Sequence, residues 1–246
     1  MNALARRAVL LAEAAPCGGA RVRLGADEAS LRPSGALWLG AARTLVAADL
    51  HFEKGSAYAA RGQLLPPYDT GETLGRLEAE IEALAPDRLV FLGDSFHDGG
   101  GEMRLAAADA ARLTAMACGR ELVWVVGNHD AEGPRRLAGD VVSELDLAGL
   151  VLRHEPREGP CADEALGEVA GHLHPCARVA ARGRTVRRRC FVTDGMRLVL
   201  PAFGAYAGGL SIRDRAFAGL FARTPTVVVL GAARTHVVAW GSVAGD

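Results

Sequence analysis

The chain has 246 residues, 50% of them hydrophobic and 23% charged, a balance that excludes disorder and fibrous architectures. Its 28 basic and 29 acidic residues leave a net charge of −1, so affinity for a phosphate-bearing ligand must come from a local patch or from metal ions. Five cysteines with no C-x-x-C pair argue against a disulfide framework and a thiolate zinc site.

The length suits one domain over residues 1–246. The apolar N-terminal run MNALARRAVLLAEAAP is interrupted at Glu13 and is too short for a signal-peptide core. No apolar stretch reaches the length of a membrane span. The expectation is a soluble, cytoplasmic protein with no membrane partner.

In chain order, Thr44 to Ala48 (TLVAA) predicts a buried strand. Leu74, Leu77, Ile81 and Leu84 then recur at helical spacing until Pro86 stops the helix. Arg88 to Leu92 predicts a second strand, the Ala-rich run Leu105 to Cys118 a second helix, and Glu121 to Val126 a third strand. That alternation is the pattern of parallel βαβ units. Further strands are predicted at Leu150 to Arg153, Val169 to Ala170, Cys190 to Val192, Arg197 to Leu200, Val227 to Leu230 and Thr235 to Ala239. Residues 155–165 read as a loop. The fold class expected is therefore α/β.

Polar residues gather just past the predicted strand ends. Asp49 and His51 follow the first strand, Asp94 the second, and Asn128, His129 and Asp130 the third; His154, then His172 and His174, follow the next two. In an open α/β sheet the carboxyl ends of parallel strands share the edge where ligands bind. Each motif alone has a plainer explanation: D-x-H and G-D occur in ordinary turns, and G-N-H-D can be a turn with a helix cap. Six of the seven histidines lie at or beside strand ends, however, and His236 alone stands outside the series. Oxygen and imidazole donors without sulfur suit Mn²⁺, Fe or Zn²⁺. The donors are too many for one ion, and two ions about 3.5–4 Å apart can activate a water and clamp a phosphoryl group.

The ordered series D-x-H, GD, GNHD, a lone His and G-H-x-H resembles the binuclear calcineurin-like metallophosphoesterases. The resemblance implies a two-sheet αββα sandwich with helices outside and two divalent ions at one edge, Mn²⁺ first, with Fe or Zn as alternatives. It implies that Asp49, His51, Asp94 and His174 hold one ion. Asp94 would bridge to a second ion held with Asn128, His154 and His172. His129 would act on the leaving group or stabilise the transition state, with Asp130 orienting it. The chain departs from the usual GD-x-x-D at Gly93-Asp94-Ser95-Phe96-His97, where His97 stands in the place of the second acid. His97 is a candidate substrate contact, and Asp98 a candidate replacement for the acid.

Longer phrases are similar to those of the bacterial ligase-associated DNA damage response endonucleases: DLHFEKG from Asp49, LPPYDT from Leu65, HEP from His154, GHLHP from Gly171 and LPAFGAYAGG from Leu200. That resemblance implies an Mn²⁺-dependent phosphodiesterase acting on DNA, with a preference for single strands. It also implies functional association with an ATP-dependent DNA ligase and a helicase. A small phosphodiester or nucleotide substrate and a non-catalytic scaffold are the competing expectations. Between Arg178 and Arg189 lie six arginines, among them Arg182, Arg184 and Arg187. They read either as a track for a nucleic-acid backbone or as a solvated hairpin. Residues 200–209 are expected to place a Gly-rich loop near the site.

Overall fold

The computed structural model describes residues 12–161, 166–181 and 183–243. Arg182, residues 1–11 of the apolar N-terminal run, and residues 162–165 of the expected loop lie outside the described residues.

The first sheet runs in sequence order: β1 (Ala12–Ala14), β2 (Ala20–Leu24), β3 (Asp27–Leu31), β4 (Leu37–Leu39), β5 (Thr44–Ala48), β6 (Arg88–Leu92), β7 (Glu121–Val125) and β8 (Asp140–Val142). Pairing is antiparallel as far as β5 and parallel from β5 to β8. Among the described residues the helices are α1 (Lys54–Ala59), α2 (Asp69–Leu84), α3 (Gly101–Arg104) and α4 (Ala107–Ala117). The second sheet holds β9 (Glu144–Leu147), β10 (Leu150–Arg153), β11 (Gly167–Ala170), β12 (Cys176–Ala181), β13 (Arg184–Thr193), β14 (Arg197–Val199), β15 (Thr226–Leu230) and β16 (Thr235–Ala239). Its order is β16-β15-β13-β14-β11-β10-β9, with β12 added to β13 as a hairpin.

The continuous apolar character of β5, β6 and β7 has a direct cause. Val46, Ala48, Val90, Leu92, Val123 and Val125 face the second sheet, while Leu45, Ala47, Leu89, Phe91, Leu122 and Trp124 face α2 and α4. Strands buried on both faces lose the polar alternation of a half-exposed strand. Each fully buried aliphatic side chain contributes about 2 kcal/mol, which makes this trio a stiff frame for the loops at its end. Helix α2 begins with Asp69 and Glu72 in its first turn and ends at Ala85, which takes a left-handed φ of 44° just before Pro86. The two-sheet sandwich is as expected, with the helical layer on the first sheet. Among the described residues the outer face of the second sheet is closed by Ile212, Phe217 and Leu220 and by Val243, from two segments that carry short 3₁₀ turns rather than α-helix.

Strands β5, β6 and β7 end in register at Ala48, Leu92 and Val125, and β10 and β11 end together at Arg153 and Ala170. Backbone bonds then stitch the emerging loops: Asp49 N donates to Gly93 O at 3.2 Å, His51 N to Asp94 O at 2.9 Å, and Gly171 N to His154 O at 2.9 Å. Gly127 is needed for close approach, since a Cβ there would run into the Asp94 carboxylate and backbone nitrogen.

Candidate metal centre

The expected ligands converge. Asp49, His51, Asp94, His172 and His174 all have left-handed φ, from 45° to 65°, a region that L-residues adopt only when the surroundings enforce it. The reversal at each strand end folds the side chain back over the sheet edge. His154 Nε2, His172 Nδ1 and Asn128 Oδ1 form a triangle with sides of 3.0, 2.9 and 3.1 Å. An ion held at about 2.1 Å by nitrogen or oxygen keeps neighbouring ligand atoms roughly 3 Å apart, so this triangle has the dimensions of a coordination sphere. A second set lies alongside: His174 Nε2 is 3.2 Å from Asp49 Oδ1 and 3.3 Å from His51 Nε2.

Two carboxylates stand between the sets. Asp49 Oδ1 is also 3.6 Å from His154 Nδ1, and Asp94 Oδ2 is 3.4 Å from His154 Nε2. Asp49 is 0% exposed and Asp94 2%, and burying such charges is unfavourable without cations to meet them. The His51 Nδ1 atom is buried with no hydrogen-bond partner. Donor chemistry, spacing and buried charge all fit a pair of divalent ions.

The electrostatics agree. Burial alone would raise the Asp94 carboxyl, but the His154 hydrogen bond and charge, the His129 amide and His51 outweigh it and bring its pKa to about 2. Burial, helped by His174, brings His51 down to about 2 against the pull of Asp94. Burial and His154 lower His172, and burial, Lys54 and His129 lower His97. These groups stay neutral with lone pairs free at neutral pH. For His154, burial pulls downward, but Asp94 and Asp49 prevail and raise it.

A pH effect follows for metal-stripped protein. Where the folded pKa lies below the ordinary 6.5, as for His51, His97 and His172, the unfolded chain takes protons first. Stability is then lost as pH falls below that value. His154 works oppositely, its contribution being present in acid and lost as pH rises through its raised pKa. Three groups against one predict that the melting temperature of EDTA-treated protein drops between pH 7 and pH 5, with a smaller drop in His51→Asn. A flat or rising profile by calorimetry would contradict this.

His129 stands at the rim, its side chain 41% exposed and its Nε2 3.9 Å from Asp94 Oδ2. Its Nδ1 lies 2.7 Å from the His97 carbonyl oxygen. A carbonyl only accepts, so Nδ1 carries the proton and Nε2 faces the site. The expectation that Asp130 orients His129 is corrected: Asp130 accepts from Gly127 N at 3.0 Å and Phe96 N at 3.1 Å. It ties the two ligand loops together instead. Asp98 does not replace the missing acid either, since its Oδ1 takes Arg104 Nη2 at 2.7 Å and Gly100 N at 3.0 Å. The orienting acceptor is the backbone of His97, which any residue can supply. The His97 ring stacks on His129 at 5.4 Å and meets His51 edge-on at 5.5 Å.

The LPPYDT phrase braces the first ligand loop. Gly55 N donates to Asp69 Oδ2 at 2.9 Å and Thr70 Oγ1 to Glu53 Oε1 at 3.0 Å. The segment 200–209 reaches the site as expected, with Phe203 N donating to Ala48 O at 2.8 Å and Gly204 N to Asp49 O at 3.1 Å. The arginine cluster divides. Arg184 pairs with Ala181 at the hairpin tip, while Arg189 pairs with Cys176 at its base, beside His174. Five residues of strand separate them, roughly 17 Å. Arg187 Nη2 donates to Gly209 O at 2.5 Å. Arg189 was not singled out by sequence, yet it holds the carbonyls of Ala202, Ala205 and Ala207 at 3.0, 3.1 and 2.8 Å. Nothing in its sequence context separates it from its basic neighbours.

No described helix is long and apolar enough to cross a membrane. Residues 42–176, more than half of the chain, match the calcineurin-like phosphoesterase family. The crystal structure of Pseudomonas putida nuclease MPE superposes with a TM-score of 0.68 at 27% identity, covering 89% of this chain and 100% of that one. Yfce, a phosphoesterase from E. coli, is 17% identical with a TM-score of 0.40, over 82% of this chain and 95% of that one. No curated protein gives a match. The chain belongs to the calcineurin-like phosphoesterase family and is a metal-dependent hydrolase.

Proposed function

We propose that this protein is an Mn²⁺-dependent phosphodiesterase of the ligase-associated branch, cleaving DNA with a preference for single strands during repair alongside an ATP-dependent ligase and a helicase. The observation that carries the reading is the paired donor sets, one around Asn128, His154 and His172 and one around Asp49, His51 and His174, with Asp94 between them. Similarity to a nuclease over 89% of the chain supports the polynucleotide substrate.

When bound, two divalent ions would polarise the phosphoryl oxygens and acidify a coordinated water. The chain's own residues set the geometry around that chemistry. Asp94 Oδ1 accepts the His129 amide at 2.9 Å, which fixes the backbone carrying the rim histidine to a metal ligand. The His97 carbonyl keeps a proton on Nδ1, so that Nε2 is the atom that takes up a proton and, from the doubly protonated ring, passes it to a departing alkoxide. His97 and Tyr58, with ring centroids 5.7 Å apart, form a wall against which a nucleotide can lie.

The test is cleavage of a single-stranded oligonucleotide by purified protein with Mn²⁺, beside EDTA-treated enzyme and Asp94→Ala. Cleavage by the Mn²⁺-loaded wild type alone is expected. Failure to exceed the two controls would end the reading. A small diester turned over far faster than any oligonucleotide would transfer it to small-molecule hydrolysis, which a net charge of −1 favours.

A further inference from the structure

A basic groove lies across residues 201–209 from the metal centre. Arg76 of α2 and Arg187, Arg188 and Arg189 of β13 line a hollow of about 520 Å³. The one acid among its lining residues, Glu80, is engaged by Arg32 Nε at 2.8 Å. Converging guanidiniums repel one another, and the one acid in the lining is already engaged. The Arg76 guanidinium lies 5.2 Å over the Phe203 ring, with Glu72 no nearer than 4.0 Å. Its Nε and Nη2 are sealed from solvent without a hydrogen-bond partner. A buried donor left unmatched is unfavourable, the Arg76 ion pair with Glu72 is long, and an anion in the hollow would relieve the repulsion among the guanidiniums.

One segment ties the groove's arginines to the metal centre. Arg189 holds the carbonyls of Ala202, Ala205 and Ala207, and the same segment bonds Asp49 O through Gly204 N. Lys54, beside the ligand loop, is near enough to both Arg189 and His97 for their charges to influence one another.

We propose that this arginine-lined groove binds a backbone phosphate of the polynucleotide substrate, away from the phosphate being cleaved. The proposal rests on the DNA reading above and adds to it a local basic site in a chain of near-zero net charge. Such a contact adds affinity for long strands without touching the reaction. It leaves the turnover of a small diester unchanged.

The experiment compares a long single-stranded oligonucleotide with bis-p-nitrophenyl phosphate, in Mn²⁺ over a series of KCl concentrations. The variants are Arg76→Met, which keeps the packing on Phe203, and Arg188→Ala, at an exposed position. The expected result in either variant is a roughly tenfold higher KM for the oligonucleotide, a salt dependence reduced by about one ionic contact, and unaltered diester hydrolysis. Oligonucleotide kinetics unchanged in both variants, or equal losses on both substrates in both, would overturn the proposal. A wild type that hydrolyses the diester but no oligonucleotide would instead remove the DNA reading, and is recognised before any variant is compared.

Discussion

Asp94→Ala is expected to lower turnover by about 10³-fold or more and to strip the protein of metal. The Asp94 carboxylate has two duties that alanine cannot share. One oxygen lies 3.4 Å from His154 Nε2, and the other accepts the His129 amide at 2.9 Å. Losing the first leaves the buried His154 with only Asp49 for a carboxylate neighbour, at 3.6 Å. Losing the second frees the loop that carries His129. Asp94→Asn separates the effects, because an amide oxygen still accepts the His129 N–H while the charge is gone. Metal content after dialysis against Mn²⁺, measured by mass spectrometry, should fall in both variants, with Asn128 and His129 displaced only in the alanine one. Full metal content together with more than about a tenth of wild-type activity in Asp94→Ala would contradict this assignment.

The same loops show why the sequence was informative where it was. Strands β5, β6 and β7 are legible because burial on both faces demands unbroken apolar runs. The ligands stand out because a strand buried to its last residue leaves polar side chains no place before the turn. Strands β1 to β4 are not legible in the same way: DEASL in β3 and ARVRL in β2 carry charges typical of a loop. Helix α1, six residues long, is too short for periodicity to register. The role of Asp130 was misjudged for a different reason. The family resemblance implies that it orients His129, whereas the reversal after β7 turns its carboxylate back toward the amides of Gly127 and Phe96. Backbone acceptors such as the His97 carbonyl carry no signal in residue type at all.

His129 offers the sharpest discrimination between two chemical roles. Its Nδ1 proton is fixed on the His97 carbonyl, and Nε2 faces Asp94 Oδ2 at 3.9 Å, too long for a hydrogen bond and open to a substrate oxygen. If Nε2 protonates the leaving group, its value depends on how poor that leaving group is. A DNA alkoxide needs the proton, whereas p-nitrophenolate departs without one. His129→Gln is therefore expected to slow oligonucleotide cleavage by about 10²–10⁴-fold, yet slow hydrolysis of bis-p-nitrophenyl phosphate by less than about tenfold. Metal content should be unchanged, because the ligand triangle at Asn128, His154 and His172 does not include the ring. Equal losses on the two substrates would assign His129 to charge stabilisation of the phosphoryl oxygens. Lost metal would place it among the ligands, with His51 and His97, whose nitrogens approach it within 4.8 Å.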